Sequence, residues 1–215
     1  LRPKVLSETA RRLAALFPGP MLYAVKCNDN LAILQSLYEG GIRHFDTASP
    51  AEIKSVATNF PDATCHYMHP VKSTEAIAEA FHQYGVRSFA FDHKDELAKI
   101  LAIVGNTPVN LMLRIAVERK QAIMDLSGKF GASADKAVSL LRAARGPNRR
   151  LGITFHVGSQ CVSPAAYARA IQLADHITKQ SGVQVDLLDV GGGFPAQYLG
   201  TEPEFGVLLR LLLKR

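Results

Sequence analysis

The chain has 215 residues, with 25 Lys+Arg against 19 Asp+Glu for a formal net charge of +6, and 47% of its residues are hydrophobic. This composition excludes a disordered polar chain, and the ordinary content of 16 Gly and 11 Pro excludes a collagen-like or low-complexity one. The positive charge is diffuse, and Arg11-Arg12, Arg149-Arg150 and Lys214-Arg215 are isolated pairs without interleaved aromatic side chains. This pattern is typical of a solvated surface and argues against nucleic-acid binding.

Short β-rich apolar runs alternate with amphipathic stretches along most of the chain. The predicted strands are Met21–Lys26, His44–Ala48, Thr64–Met68, Ser88–Phe91, Val109–Val117, Leu151–Val157 and Val185–Val190. The predicted helices between them include Leu31–Tyr38, Ala51–Asn59, Thr74–Tyr84, Glu96–Val104, Asp135–Ala144 and Ala165–Gln180. The first five strands start 20 to 24 residues apart, which is the spacing of a minimal βα repeat.

Strict βα alternation predicts a parallel sheet covered by helices. A Rossmann sheet and a (β/α)8 TIM-type barrel both satisfy this pattern, but a Rossmann domain carries its glycine-rich turn after the first strand. Here the glycine cluster Gly191–Gly193 follows the seventh strand, close to where barrels commonly bind phosphate. The sequence therefore favours an α/β fold of the barrel type.

The predicted strands number seven, one fewer than a closed barrel requires. Few residues follow Gly193, and Val207–Leu213 has the pattern of a helix start. A barrel with a missing strand would leave two unpaired strand edges. We therefore expect residues 1–215 to form a truncated barrel domain that belongs to a longer protein or folds with a partner.

The carboxyl ends of the strands are where parallel barrels place their chemistry. Each predicted strand ends in polar or ionisable residues, and the set is Lys26, Asp46 with Ser49, His69, Asp92, Arg114, His156 with Ser159, and Asp189 followed by Gly191, Gly192 and Gly193.

Three of these features point to one cofactor. A desolvated Lys26 would favour the neutral amine of a Schiff-base nucleophile, whereas the alternative is a strand-end lysine that extends into solvent. The glycines would let backbone N–H groups approach an anion, and the alternative is an ordinary flexible turn. His156 is either a core histidine or a ring that stacks on a planar cofactor. Taken together, the three features describe pyridoxal phosphate.

Six sequence blocks resemble a known family. They begin at Tyr23 (YAVKCN), Phe45 (FDTAS), Leu113 (LRI), Lys129 (KFGA), Phe155 (FHVGS) and Leu188 (LDVGGGFP). In this order they resemble the pyridoxal-phosphate-dependent ornithine, diaminopimelate and arginine decarboxylases of the alanine-racemase fold. Cys27 and the FDTAS block are similar to ornithine decarboxylases, and the HPVK block at His69 resembles bacterial ornithine or lysine/ornithine members. Gly158-Ser159-Gln160 is also found in the diaminopimelate branch.

The resemblance implies a role for each matching residue. Lys26 would hold the cofactor as a Schiff base (internal aldimine), and His156 would stack on its ring. Ser159 and the glycines Gly191, Gly192 and Gly193 would bind the phosphate. Around the ring the resemblance places Asp46, Glu52 and Arg114, and near a dimer interface it places Lys129.

The resemblance also implies a homodimer with shared active sites that converts L-ornithine into putrescine and CO2 in polyamine biosynthesis. The alternatives are a lysine/ornithine or diaminopimelate decarboxylase, a non-catalytic decarboxylase-like regulator, and a barrel-only carrier of pyridoxal phosphate. The family's Glu-Pro-Gly-Arg block and its C-terminal β domain have no counterpart in this sequence. We therefore expect residues 1–215 alone to be inactive.

The cellular setting follows from what the sequence lacks. No run of about 18 uncharged apolar residues predicts a membrane span, and no leader-like segment opens the chain. The three cysteines, Cys27, Cys65 and Cys161, form an odd and widely spaced set. Such a set is typical of a reducing compartment and forms neither a disulfide framework nor a metal cluster. We expect a cytoplasmic protein without a metal site.

Overall fold

A computed structural model of the protein describes residues 1–117, 130–196, 205–207 and 209. The helices are α1 (Pro3–Leu16), α2 (Leu31–Glu39), α3 (Pro50–Asn59), α4 (Thr74–His82), α5 (Lys94–Val104), α6 (Ala134–Ala144) and α7 (Pro164–Ser181). The strands are β1 (Leu22–Ala24), β2 (His44–Thr47), β3 (Thr64–Tyr67), β4 (Ser88–Phe91), β5 (Val109–Arg114), β6 (Arg149–Thr154) and β7 (Leu187–Asp189).

The seven strands form one sheet in the order β1-β2-β3-β4-β5-β6-β7. The pairs β1–β2, β2–β3, β3–β4, β5–β6 and β6–β7 are parallel. The register aligns Ala24 with Asp46 and Asp46 with His66. Each strand lies beside its neighbour in sequence, which is the order of a (β/α)8 barrel, whereas a Rossmann sheet reverses direction at its first strand. This order confirms the predicted α/β fold of the barrel type.

Two strand ends differ from the prediction and affect residues of interest. β1 ends at Ala24, and a 3-10 turn over Val25–Cys27 carries Lys26. β6 ends at Thr154, so His156 lies in the loop beyond it and not on the strand. In both places the apolar run continues past the last residue of the ladder, and Val25 and Phe155 are buried although they lie outside the strands.

Helix α1 was missed in the sequence analysis. Its apolar positions Leu6, Ala10 and Leu13 recur at helical spacing, and Pro3 occupies its first turn. The helix packs closely on the end of α2, because a Cβ built on Gly40 would lie 2.7 Å from the Cβ of Ala10. It therefore belongs to the packing around the first strand and adds nothing to the predicted set of polar strand ends.

The chain forms two compact units, a first unit of Leu1–Phe89 with Lys99–Gly105 and a second unit of Ala90–Ala98 with Asn106–Arg215. In the first unit, the fully buried Phe45 of β2 stacks on Phe60 beyond α3, with ring centroids 5.9 Å apart. In the second unit, Leu111 and Leu113 of β5 and Ile153 of β6 are fully buried. Each unit thus has its own apolar core beneath its strand ends.

Candidate cofactor site

Lys26 lies just beyond the carboxyl end of β1 in the first unit. Its Nζ is 3.9 Å from Oδ2 of Asp46, and the lysine side chain is 57% exposed. The structure thus brings together two of the predicted residues. This exposure agrees with the second of the two alternatives, a lysine that extends into solvent, because a turn beyond the strand carries the residue.

The loop that carries Lys26 is held by its own polar groups. The hydroxyl of Tyr23 donates to the carbonyl of Asn28 at 3.1 Å, and the Asn28 side chain accepts the N–H of Asn30 at 3.1 Å. Burial, followed by the neighbouring Cys27 and Asp29, raises the pKa of Tyr23. Tyr23 therefore acts as a neutral donor that fixes the turn, a role that the sequence pattern did not reveal.

Glu52 lies in the first turn of α3 and forms a reciprocal cap with Ser49. Its Oε2 accepts the N–H of Ala48 at 2.8 Å, while Oγ of Ser49 accepts the N–H of Glu52 at 3.3 Å. This arrangement satisfies two backbone donors that a helix start leaves without partners. Glu52, which the resemblance places near the cofactor ring, therefore has a structural role in the described chain.

Three histidines lie on or after β2 and β3. His69, at a predicted strand end, contacts the backbone of Val71 in its own loop, with Nδ1 2.7 Å from the carbonyl oxygen. His44 and His66, which the sequence analysis did not select, bring Nδ1 and Nε2 to 3.0 Å. Burial and the adjacent His44 lower the pKa of His66 to about 4, and burial lowers the pKa of His44. The two rings therefore form a neutral hydrogen-bonded pair.

Asp92, at the end of β4, organises a loop of the second unit. Its Oδ2 accepts the N–H of Gly131 at 2.8 Å, and Ala132 donates its N–H to the carbonyl of Arg114 at 2.9 Å. Gly131 has a φ of +106°, and a Cβ there would lie 2.6 Å from a backbone nitrogen of the facing segment. The loop places the Phe130 ring 5.5 Å from the Arg114 guanidinium. The glycine at position 131 is thus explained by close backbone contact.

The carboxylate of Asp189 holds the glycine loop after β7. One carboxylate oxygen of Asp189 accepts the N–H of Gly191 at 2.8 Å, and the other accepts the hydroxyl of Thr154 at 2.9 Å. Gly191 and Gly193 have φ of +66° and +86°, and a Cβ on either would lie about 2 Å from a carbonyl oxygen of the loop after β6. Both positions therefore require glycine.

A second set of contacts joins the glycine loop to the loop after β6. The Gln160 side chain donates to the carbonyl of Ala196 at 3.1 Å and accepts its N–H at 2.9 Å. Cys161 donates its N–H to the carbonyl of Gly193 at 2.8 Å. Gln160, which the sequence analysis named only as part of a motif, thus locks the two loops side by side.

This anchoring leaves a group of donors available. Within the described part of the chain, the N–H groups of Gly192 and Gly193 and the hydroxyl of the exposed Ser159 donate no hydrogen bond. His156 lies beside them, with Cε1 3.7 Å from a Cβ built on Gly192 and 3.4 Å from one built on Gly193. A phosphate ester fits these donors, because backbone N–H groups in a glycine turn form an anion-binding concavity. A flat ring attached to that phosphate would have the His156 imidazole beside it.

The remaining predicted features are placed as follows. Lys129, predicted near a dimer interface, lies outside the described residues. In the described part of the chain, no helix is long and apolar enough to cross a membrane, and no three His, Cys, Asp or Glu side chains are placed to hold a metal ion. The three cysteines are free thiols.

The strand order is that of a barrel-type domain, and the donors of the glycine loop are of the kind that suits a phosphorylated cofactor. The family model for the pyridoxal-dependent decarboxylases, pyridoxal binding domain, matches residues 4–208. The chain belongs to this family, whose cofactor is pyridoxal phosphate. This match confirms the resemblance on which the cofactor prediction rests.

Individual relatives agree with the family assignment. The chain is 38% identical to the lysine/ornithine decarboxylase of Selenomonas ruminantium over 81% of its length, and 36% identical to the ornithine decarboxylase of Mus musculus over 89%. These alignments cover 45% and 42% of the relatives, so the chain spans less than half their length. The crystal structure of the Paramecium bursaria Chlorella virus arginine decarboxylase bound to agmatine matches with a TM-score of 0.85 and 30% identity, over 99% of this chain and 58% of that one.

Proposed function

We propose that the chain is the cofactor-binding part of a pyridoxal-phosphate-dependent carboxy-lyase that converts L-ornithine into putrescine and CO2. The observation that carries this proposal is the set of donors at Gly192, Gly193 and Ser159, in a chain whose family match spans residues 4–208. The preference for ornithine is supported by the names of the curated relatives at 36% and 38% identity. Such an activity belongs to polyamine biosynthesis.

The second unit would bind the phosphate and position the ring. The N–H groups of Gly192 and Gly193 and the Ser159 hydroxyl would donate to phosphate oxygens, and such charge-assisted hydrogen bonds are stronger than neutral ones. His156 would pack against the ring and keep water from that face. Arg114, with its guanidinium over Phe130, would contribute positive charge near the ring.

Lys26 of the first unit would supply the amine that attaches the cofactor covalently. Asp46 would orient that amine, because Oδ2 lies 3.9 Å from Nζ. When bound, pyridoxal phosphate supplies an electron sink for the pair of electrons left behind as the substrate carboxylate departs as CO2. The protein's task is to hold that carboxylate out of the ring plane, so that only the productive bond is broken.

We further propose that residues 1–215 form one truncated barrel domain of a cytoplasmic homodimer. The relatives are more than twice as long as the aligned segment, and in the resembling family the partner subunit completes each active site. An eighth strand, a C-terminal β domain and the carboxylate beside the pyridine nitrogen would come from outside this sequence. The free thiols of Cys27, Cys65 and Cys161 suit a reducing compartment.

The test is a substrate panel on the purified full-length protein with pyridoxal phosphate. L-Ornithine, L-lysine, meso-diaminopimelate and L-arginine are offered separately, and released CO2 and the product amine are measured. We expect the highest kcat/KM for ornithine, with lysine disfavoured by roughly 10- to 200-fold because one methylene contributes about 1–3 kcal/mol. Equal rates for ornithine and lysine would identify a lysine/ornithine enzyme.

Two results would contradict the proposal. A preference for arginine or diaminopimelate would overturn the substrate assignment and keep the reaction class. Binding of the cofactor without CO2 release from any of the four substrates would favour the non-catalytic regulator that the sequence analysis left open.

A further inference from the structure

We propose that Tyr167 is a positioning residue for cofactor binding, because its hydroxyl fixes the orientation of the Gly192–Gly193 peptide and so aims the Gly193 N–H at the phosphate. This inference rests on the proposed phosphate site in the glycine loop. Tyr167 lies on α7, outside every sequence block that predicted the site.

The Tyr167 side chain is held rigidly against the loop. It is fully buried, and its ring stacks on Phe194 with centroids 4.9 Å apart and planes 9° apart. Its hydroxyl donates to the carbonyl oxygen of Gly192 at 3.2 Å. Burial, with a smaller contribution from Cys161, raises the pKa of Tyr167, so the hydroxyl remains a neutral donor.

Because a peptide unit is planar, this contact also fixes the direction of the Gly193 N–H. In a trans peptide the C=O and the following N–H point in opposite directions, and the described residues contain no cis peptide bond. Because the Gly192 carbonyl points to Tyr167, the Gly193 N–H points away from it. No acceptor among the described residues takes this N–H, so it is available to an anion.

Two groups on either side of this peptide have fixed partners. The Gly191 N–H is bound by Asp189, and the Gly193 carbonyl is bound by the N–H of Cys161. Between these two anchors, rotation of the Gly192–Gly193 peptide is opposed by few steric barriers, because glycines flank it on both sides. A rotated peptide would present a carbonyl oxygen to the phosphate in place of an N–H. The Tyr167 hydroxyl is the group that selects the binding orientation.

The test is Tyr167→Phe in the full-length protein, since phenylalanine keeps the ring stacked on Phe194 and removes only the hydroxyl. Dissociation constants are measured for pyridoxal phosphate and for pyridoxal, which lacks the phosphate. We expect the variant to lose roughly 3- to 10-fold in affinity for pyridoxal phosphate, as for a lost hydrogen bond, and to bind pyridoxal as before. The 31P resonance of the bound cofactor should shift as well.

Tyr38→Phe is the matched control, because it removes a tyrosine hydroxyl that donates to Asp62 on the surface of the first unit. It should leave both dissociation constants unchanged. Equal losses for pyridoxal phosphate and pyridoxal in Tyr167→Phe would show a merely structural role and overturn the inference, as would no loss for either. An unmutated protein that binds neither compound would overturn the proposed function itself.

Discussion

The strand ends of the two units present their polar groups in different ways. In the first unit these groups are side chains, and Glu52 and His69 are bonded to their own loops while Lys26 extends into solvent. In the second unit the glycine loop presents backbone N–H groups that are held in place by Asp189 and Gln160. The donors of the proposed phosphate site are therefore oriented by local hydrogen bonds, whereas Lys26 is largely exposed beside Asp46.

The difference has a physical basis. Backbone donors in a loop of glycines cost no side-chain entropy when they bind a ligand, and their direction is set by the chain itself. A lysine on a turn keeps its rotamer freedom until it is bonded. Binding of the phosphate should therefore tolerate the loss of Lys26, and covalent attachment should not.

The largest expected effect comes from Lys26→Ala. Borohydride reduction of the full-length protein with pyridoxal phosphate should add the pyridoxyl mass to the peptide that contains Lys26, and the variant should show no such adduct. Decarboxylation should fall by on the order of 10³-fold or more, as when other nucleophiles are removed. Lys54→Ala, at an exposed position on α3, is the control. An adduct that persists in Lys26→Ala would contradict the assignment of the lysine.

A second comparison lies within the glycine loop. Gly193→Ala places a methyl group 1.9 Å from a carbonyl oxygen at a φ of +86°, so we expect it to lower the free energy of unfolding by about 2–6 kcal/mol. At Gly192 the nearest atom to a new Cβ is 3.7 Å away, so Gly192→Ala should change that free energy by less than about 1 kcal/mol. Urea unfolding of both variants measures the difference. Equal destabilisation would show that the loop is not held as tightly as its contacts indicate.

The sequence predicted the fold better than it predicted the site. Alternation of strands and helices is a global pattern, so small errors at the ends of β1 and β6 left the strand order unaffected. The end of β1 matters more for Lys26, because a shift of two residues places its side chain on a turn instead of on a strand. The contact between Tyr167 and Gly192 joins a helix to a loop 25 residues away, and nothing in the local pattern of either predicts it.

The smallest expected effect concerns the His44–His66 pair and the pH dependence of the first unit. The pKa of His66 is lowered from 6.5 to about 4 in the folded chain. As the pH falls below 6.5, the unfolded chain takes up a proton that the folded chain excludes, so stability is lost between pH 6.5 and 4 and is unaffected above that range. The loss should be about 1–3 kcal/mol, since one pKa unit corresponds to about 1.4 kcal/mol and the ring is only partly buried.

His66→Leu should flatten this acid slope, whatever its effect on stability at pH 7, because the group that titrates is gone. His176→Leu, on the exposed side of α7, should leave the slope in place. Hydrogen exchange locates the effect, with protection falling in β2 and β3 as the pH is lowered and the glycine loop unaffected. The acid sensitivity would then lie in the first unit, because the backbone donors of Gly192 and Gly193 in the second unit do not titrate. An unchanged slope in His66→Leu would place the titrating group elsewhere.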